Sequence, residues 1–129
     1  MNNIKHKGWV IQAPVSFIEA TPEERAEVCN GMGPKGYGWV IPDTMYGLNL
    51  EAAGDVHDWM YYHATYDRNQ CDDVFLKNMK SIIEQHDGWS ILQWLRNRRA
   101  LKYYWAVRKF GLSSYGKRCE CARGFGGEG

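Results

Sequence analysis

Long apolar runs are missing from this sequence. No stretch approaches the length of a membrane span, and residues 1–9 are polar, without the apolar core of a secretory leader. The expectation is a soluble protein made in the cytoplasm with no signal peptide, later export by another route being left open. Cysteine is scarce as well. The four residues Cys29, Cys71, Cys119 and Cys121 form neither a dense disulfide framework nor a paired Cys-x-x-Cys zinc pattern. Cys119-Glu120-Cys121 lies in a glycine-rich stretch, and these cysteines are expected to be free. One-sided charge is also absent: 16 Lys and Arg against 15 Asp and Glu leave a formal net charge of +1. Net charge therefore gives no reason to expect a specific nucleic-acid partner.

What the chain does have is aromatic mass: 14% of its 129 residues, including six Trp and eight Tyr. Such content suits a core built with large rings, or an aromatic-lined site. The length fits one domain. Cations are clustered despite the balanced total. Arg96, Arg98, Arg99, Lys102, Arg108 and Lys109 fall close together, with Lys117, Arg118 and Arg123 beyond them. They read as a solvated helix face running into a basic tail, or as a contact for a membrane surface or phosphate.

Local signals predict a mainly α fold. Residues 8–18 read as extended, with Pro14 arguing against a central strand. The tetrapeptide Gly-Trp-Val-Ile at 8–11 recurs at 38–41, which leaves room for a small β-ribbon. Thr21-Pro22-Glu23-Glu24 is a helix start: Thr21 can cap, Pro22 suits the first helical position and Glu24 completes a capping box. That helix is expected to end near Cys29, before Asn30-Gly31 and a glycine-rich loop over 31–38. A second helix is expected from about Asn49 to His63, and a third, capped by Asp67 or Asn69, from about Gln70 to Gln85. A long fourth runs from Trp89 to Phe110. The chain thus reads as one helical domain over 1–111, its site carried by an antiparallel helix pair, with a Gly-rich, basic and flexible tail over 112–129.

The second helix carries the chemistry. Gly54, His57, Asp58 and Tyr61 have i, i+3, i+4, i+7 spacing and share one stripe. Gly54 costs the helix about 1 kcal/mol relative to Ala, a cost most easily understood if something approaches the backbone there. His57 is a candidate general base. The third helix offers two carboxylates. Asp73 shares a stripe with Lys77, Lys80 and Glu84, the solvent face with an i,i+4 ion pair. Asp72 shares one with Phe75, Met79, Ile82 and Ile83, the core face. A carboxylate there needs partners, and the preceding helix offers His57 and Tyr61. Bonded to His57, Asp72 would fix the imidazole tautomer. Level placement requires the second helix to stop by about His63; if it ran on to Asp67, the pair would be offset by roughly 7 Å at 1.5 Å per residue.

These residues resemble a known family. His57-Asp58-Trp59-Met60-Tyr61 is similar to the His-Asp-x-x-Tyr helix of the phospholipase A2-like superfamily, including its short prokaryotic and parvoviral members. Cys71-Asp72-Asp73-Val74-Phe75 resembles their small-residue–Asp-x-x-Phe helix, and Ala52-Ala53 the parvoviral pattern. Gly31-Met32-Gly33-Pro34 is similar to their calcium loop. A second resemblance is to an uncharacterised phage-associated family, carried by Pro34-Lys35-Gly36-Tyr37, residues 57–61, residues 72–75 and residues 104–111. The first resemblance implies hydrolysis of a phospholipid ester at a membrane surface. His57 would be the base on water, Asp72 its orienter and Tyr61 the partner of Asp72. Asp58, with carbonyls of Gly31 and Gly33, would bind calcium, which suits oxygen ligands. Trp59, Met60 and Tyr62 would receive acyl chains. The alternative is a non-enzymatic structural or partner-binding protein, in which His57, Tyr61 and Asp72 form a buried network that fixes helix packing. A phosphate or nucleic-acid binder working through the basic helix is a third reading, without a recognised motif. Access to the His57 ring separates the first two.

Overall fold

A computed structural model of the chain describes residues 1–29, 44–86, 88 and 90–110. The fold is mainly helical, as expected. The glycine loop, the second Gly-Trp-Val-Ile copy and the tail over 112–129 lie outside the described residues.

The chain opens with a hairpin. Strands β1 (Asn2–His6) and β2 (Trp9–Ala13) pair antiparallel, Asn2 opposite Ala13 and His6 opposite Trp9. Lys7 and Gly8 turn the corner with φ of 50° and 91°, the double positive φ whose twist suits a two-residue hairpin. Ile11 and Ala13 point into the core. The expected extended run to residue 18 stops here. Pro14 keeps an extended ψ of 156°, but its carbonyl accepts the Phe17 and Ile18 N–H groups and starts α1 (Val15–Glu19). Phe17, fully buried, meets the rings of His6 and Trp59 edge-on.

Helix α2 (Pro22–Cys29) begins as its sequence predicts. The Glu24 N–H donates to Thr21 Oγ1 at 3.1 Å, and Glu24 Oε1 accepts the Thr21 N–H at 2.8 Å. Arg25, one residue on, donates to the carbonyls of Phe17 and Ile18, satisfying the end of α1. Two short strands follow, β3 (Thr44–Met45) and β4 (Leu48–Asn49), turned by Tyr46 and Gly47. The sequence reading missed this hairpin. It moves the next helix start to Glu51, whose N–H is taken by the Asn49 side chain at 2.7 Å.

Three helices complete the fold: α3 (Glu51–His63), α4 (Arg68–His86) and α5 (Ser90–Phe110). α3 stops at His63 because Ala64 turns left-handed (φ 52°) and closes onto the Met60 carbonyl. Asp67 then caps α4 reciprocally with Gln70, at 2.9 and 3.2 Å. This short connection folds α4 back along α3.

α4 is the central support. Phe75, Met79, Ile82 and Ile83 face the core, while Asp73, Lys77, Lys80 and Glu84 face water. Its side chains also complete the outer edge of β2. Asn78, buried, takes the Gln12 N–H and donates to the Gln12 carbonyl, both at 2.9 Å. Ser81 and Gln85 serve Val10 in the same way. Amide and hydroxyl groups on a helix thus stand in for a third strand. Among the described residues no helix is long and apolar enough to cross a membrane.

A buried histidine–aspartate cluster as the candidate active site

His57 and Tyr61 lie one turn apart on α3 and reach the same oxygen of α4. His57 Nε2 is 2.8 Å from Asp72 Oδ1, and the Tyr61 hydroxyl donates to that oxygen at 2.6 Å. The other carboxylate oxygen turns toward α5. Arg108 Nη1 donates to Asp72 Oδ2 at 2.9 Å, and Arg68 Nη1 lies 3.9 Å from it. Arg68 is itself held by the carbonyls of Val107 and Arg108 at 3.1 and 3.0 Å. One carboxylate therefore ties three helices together. His57, Asp72 and Tyr61 are 1%, 0% and 2% exposed. The imidazole sits between the Tyr61 and Phe75 rings, with centroids at 4.2 and 4.5 Å.

The electrostatics follow from this enclosure. Burial alone would push the Asp72 carboxyl up, but donors from His57, Tyr61 and Arg108 outweigh it and hold Asp72 below its ordinary 3.8. For His57 burial wins: despite the neighbouring carboxylate, the imidazole is held below its ordinary 6.5. The pair at neutral pH is thus a carboxylate and a neutral imidazole. A carboxylate cannot donate, so Nε2 carries the proton and Nδ1 is the lone-pair nitrogen. Burial and the Asp72 charge keep the Tyr61 phenol protonated. Burial also pushes the neighbouring Cys71 thiol up to about 12, which makes this free cysteine a packing residue.

The structure brings His57, Tyr61 and Asp72 together and leaves Asp73 outside. Asp73 is exposed and accepts the Tyr104 hydroxyl at 3.2 Å. It makes no ion pair with Lys77 among the described residues, which corrects the expected i,i+4 bridge. Among the described residues nothing lies within 4 Å of a Cβ built at Gly54. Trp59 and Met60, expected to receive acyl chains, are core residues at 5% and 2% exposure, and the Trp59 indole donates to Ser16. α3 is buried over most of its circumference, and of the three expected residues Tyr62 alone is half-buried.

Asp58, half-buried, follows His57 on α3. The other implied calcium ligands, Gly31 and Gly33, lie outside the described residues. Among those that are described, no group of three or more His, Cys, Asp or Glu side chains could hold a metal. Asp58 is the one described member of the implied calcium site, whose other ligands would be backbone carbonyls.

Sequence reasoning missed both arginines. Arg108 was read as part of a solvated basic face, but its guanidinium reaches a buried anion. The Arg68–Asp72 spacing of i,i+4 was a usable signal for the other. Arg96 departs furthest from that face: it is 4% exposed, and its Nη2 donates to the Tyr46 carbonyl at 2.7 Å. No family model, curated protein or solved structure matches the chain.

Proposed function

We propose that the chain is a hydrolase of phospholipid-type esters in which His57 takes a proton from the attacking water through Nδ1. The observation that carries this reading is the 2.8 Å contact between His57 Nε2 and an Asp72 carboxylate held ionised by its other donors. A base must be neutral before it acts, and burial keeps His57 so. Once His57 gains a proton, Asp72 lies against the new charge and stabilises it. Tyr61, Arg108 and Arg68 are positioning residues that fix the carboxylate. The ester substrate and any calcium at Asp58, Gly31 and Gly33 come from the resemblance to the phospholipase A2-like enzymes.

A second reading is favoured by one observation: His57 and Asp72 are 1% and 0% exposed. Burial this complete suits a polar strut in a non-enzymatic structural or partner-binding protein, in which three helices are locked by one anion. Hydrolysis of mixed phospholipid vesicles, with calcium and with chelator, tests the choice. The hydrolase reading expects fatty acid release by the native chain and none by a folded His57→Gln variant. Absence of turnover on every lipid, or turnover unchanged in His57→Gln, contradicts it and leaves the strut.

A further inference from the structure

One face of α5 is exposed among the described residues. Ile91, Trp94, Leu101 and Trp105 are 63%, 56%, 43% and 62% exposed, and Arg98 and Lys102 are exposed among them. At 3.6 residues per turn these six side chains fall within about 100° of the helix circumference, in a stripe about 21 Å long. Isolated apolar residues on a surface are ordinary, but four large ones in a single stripe mark an interaction surface. The Arg98 guanidinium lies 4.9 Å from the centre of the Trp94 ring.

Charge selects the partner. From Gly88 to Cys119 the sequence contains no Asp or Glu, while Arg and Lys recur throughout. A second copy of the chain, docked face to face, would set Arg98 and Lys102 against their own copies with no carboxylate to meet them. A single-stranded nucleic acid could use the indoles and cations but would leave Ile91 and Leu101 in water. An anionic lipid surface uses every component: indoles at the interface, aliphatic side chains just below it, and cations among the phosphates. We propose that this face of α5 lies in the plane of an anionic phospholipid surface and docks the protein there. The docking stands on α5 alone and not on turnover at His57.

Co-sedimentation of the full chain with vesicles tests it. Binding to phosphatidylcholine–phosphatidylglycerol vesicles is expected, weakening with salt, with little binding to pure phosphatidylcholine. Lys102→Gln should lower partitioning about fivefold, the usual effect of one interfacial cation. Lys77→Gln, on the exposed face of α4, should leave it unchanged. The double variant Trp94→Ala/Trp105→Ala should lose most of the binding while keeping the native circular dichroism. Four results overturn the proposal: no binding to anionic vesicles at low salt, an equal loss in Lys77→Gln, tighter binding to a single-stranded oligonucleotide, or a dimer that the tryptophan variant dissolves. Turnover measured on the same vesicles separates the two readings. Docking without turnover by the native chain removes only the hydrolase, and turnover indifferent to the α5 substitutions removes only the docking.

Discussion

Replacing Tyr61 with Phe removes one oxygen atom from the centre of the cluster and leaves the ring that packs on His57. The lost contact is a 2.6 Å hydrogen bond to an ionised, fully buried carboxylate. Hydrogen bonds to charged groups contribute about 1.5–3 kcal/mol net. Asp72 keeps His57 on Oδ1 and Arg108 on Oδ2, so the carboxylate is weakened but not orphaned, and about 2 kcal/mol is the expected loss. With an unfolding entropy of about 2.1 cal/mol/K per residue over 129 residues, that loss lowers Tm by about 7 °C. Calorimetry of both proteins at neutral pH measures it. Tyr61→Phe also removes a donor that holds the carboxyl down, so the variant should unfold at a higher pH during acid titration. Turnover, where present, should fall far less than in His57→Gln, because Asp72 still faces the imidazole. A Tm drop below about 2 °C with an unchanged acid transition would refute the claim that the hydroxyl stabilises the ionised Asp72.

Acidification should destabilise the fold in two stages. An unfolded histidine takes a proton near 6.5 while folded His57 resists, so stability is full above that pH and falls below it. The Asp72 contribution is present above 3.8 and is lost as pH falls through its lower folded value. Denaturant titrations across this range should show both stages in the native chain and only the lower one in His57→Gln. Gly54→Ala should stabilise by up to about 1 kcal/mol, since among the described residues nothing stands within 4 Å of the added methyl; destabilisation would reveal an approach to that backbone. Asn78→Ala strips both partners from the Gln12 backbone and should cost about 3 kcal/mol, with faster amide exchange along β2. A urea midpoint within error of the native value would contradict the role assigned to Asn78.

The parts legible in the sequence were those set by short-range chemistry. The capping box at Thr21 and Glu24 follows from local residue types, and the end of α3 near His63 was bounded by the next cap at Asp67 or Asn69. The selection of Asp72 over Asp73 follows from helical spacing, because one face of α4 is apolar and the other charged. The hairpin β1–β2 was not legible: Asn2, Asn3 and Lys5 are exposed and lack the alternating apolar signal, and the strand edge is satisfied by helix side chains 66 to 75 positions away. α1 hid behind Pro14, which reads as extended yet starts a helical turn. Arg96 and Arg108 were misplaced, and Arg68 was passed over, for one reason: a cation in a sequence reads as solvated until its distant partner is known. Arg96 finds the Tyr46 carbonyl 50 positions away, and Arg108 finds Asp72 at 36. Trp59, Met60 and Tyr62 were assigned to acyl chains as apolar-aromatic neighbours of His57, but tertiary packing puts Trp59 and Met60 in the core and leaves Tyr62 half-buried.

The state of the His57–Asp72 pair is the centre of the account, and the imidazole nitrogens report on it directly. Nitrogen-15 spectra of the four histidines, with His57 assigned by loss of its signals in His57→Gln, give both tautomer and titration. The account predicts a neutral ring at neutral pH, protonated at Nε2, that titrates below 6.5. An imidazolium at neutral pH, or a proton resident on Nδ1, would contradict it.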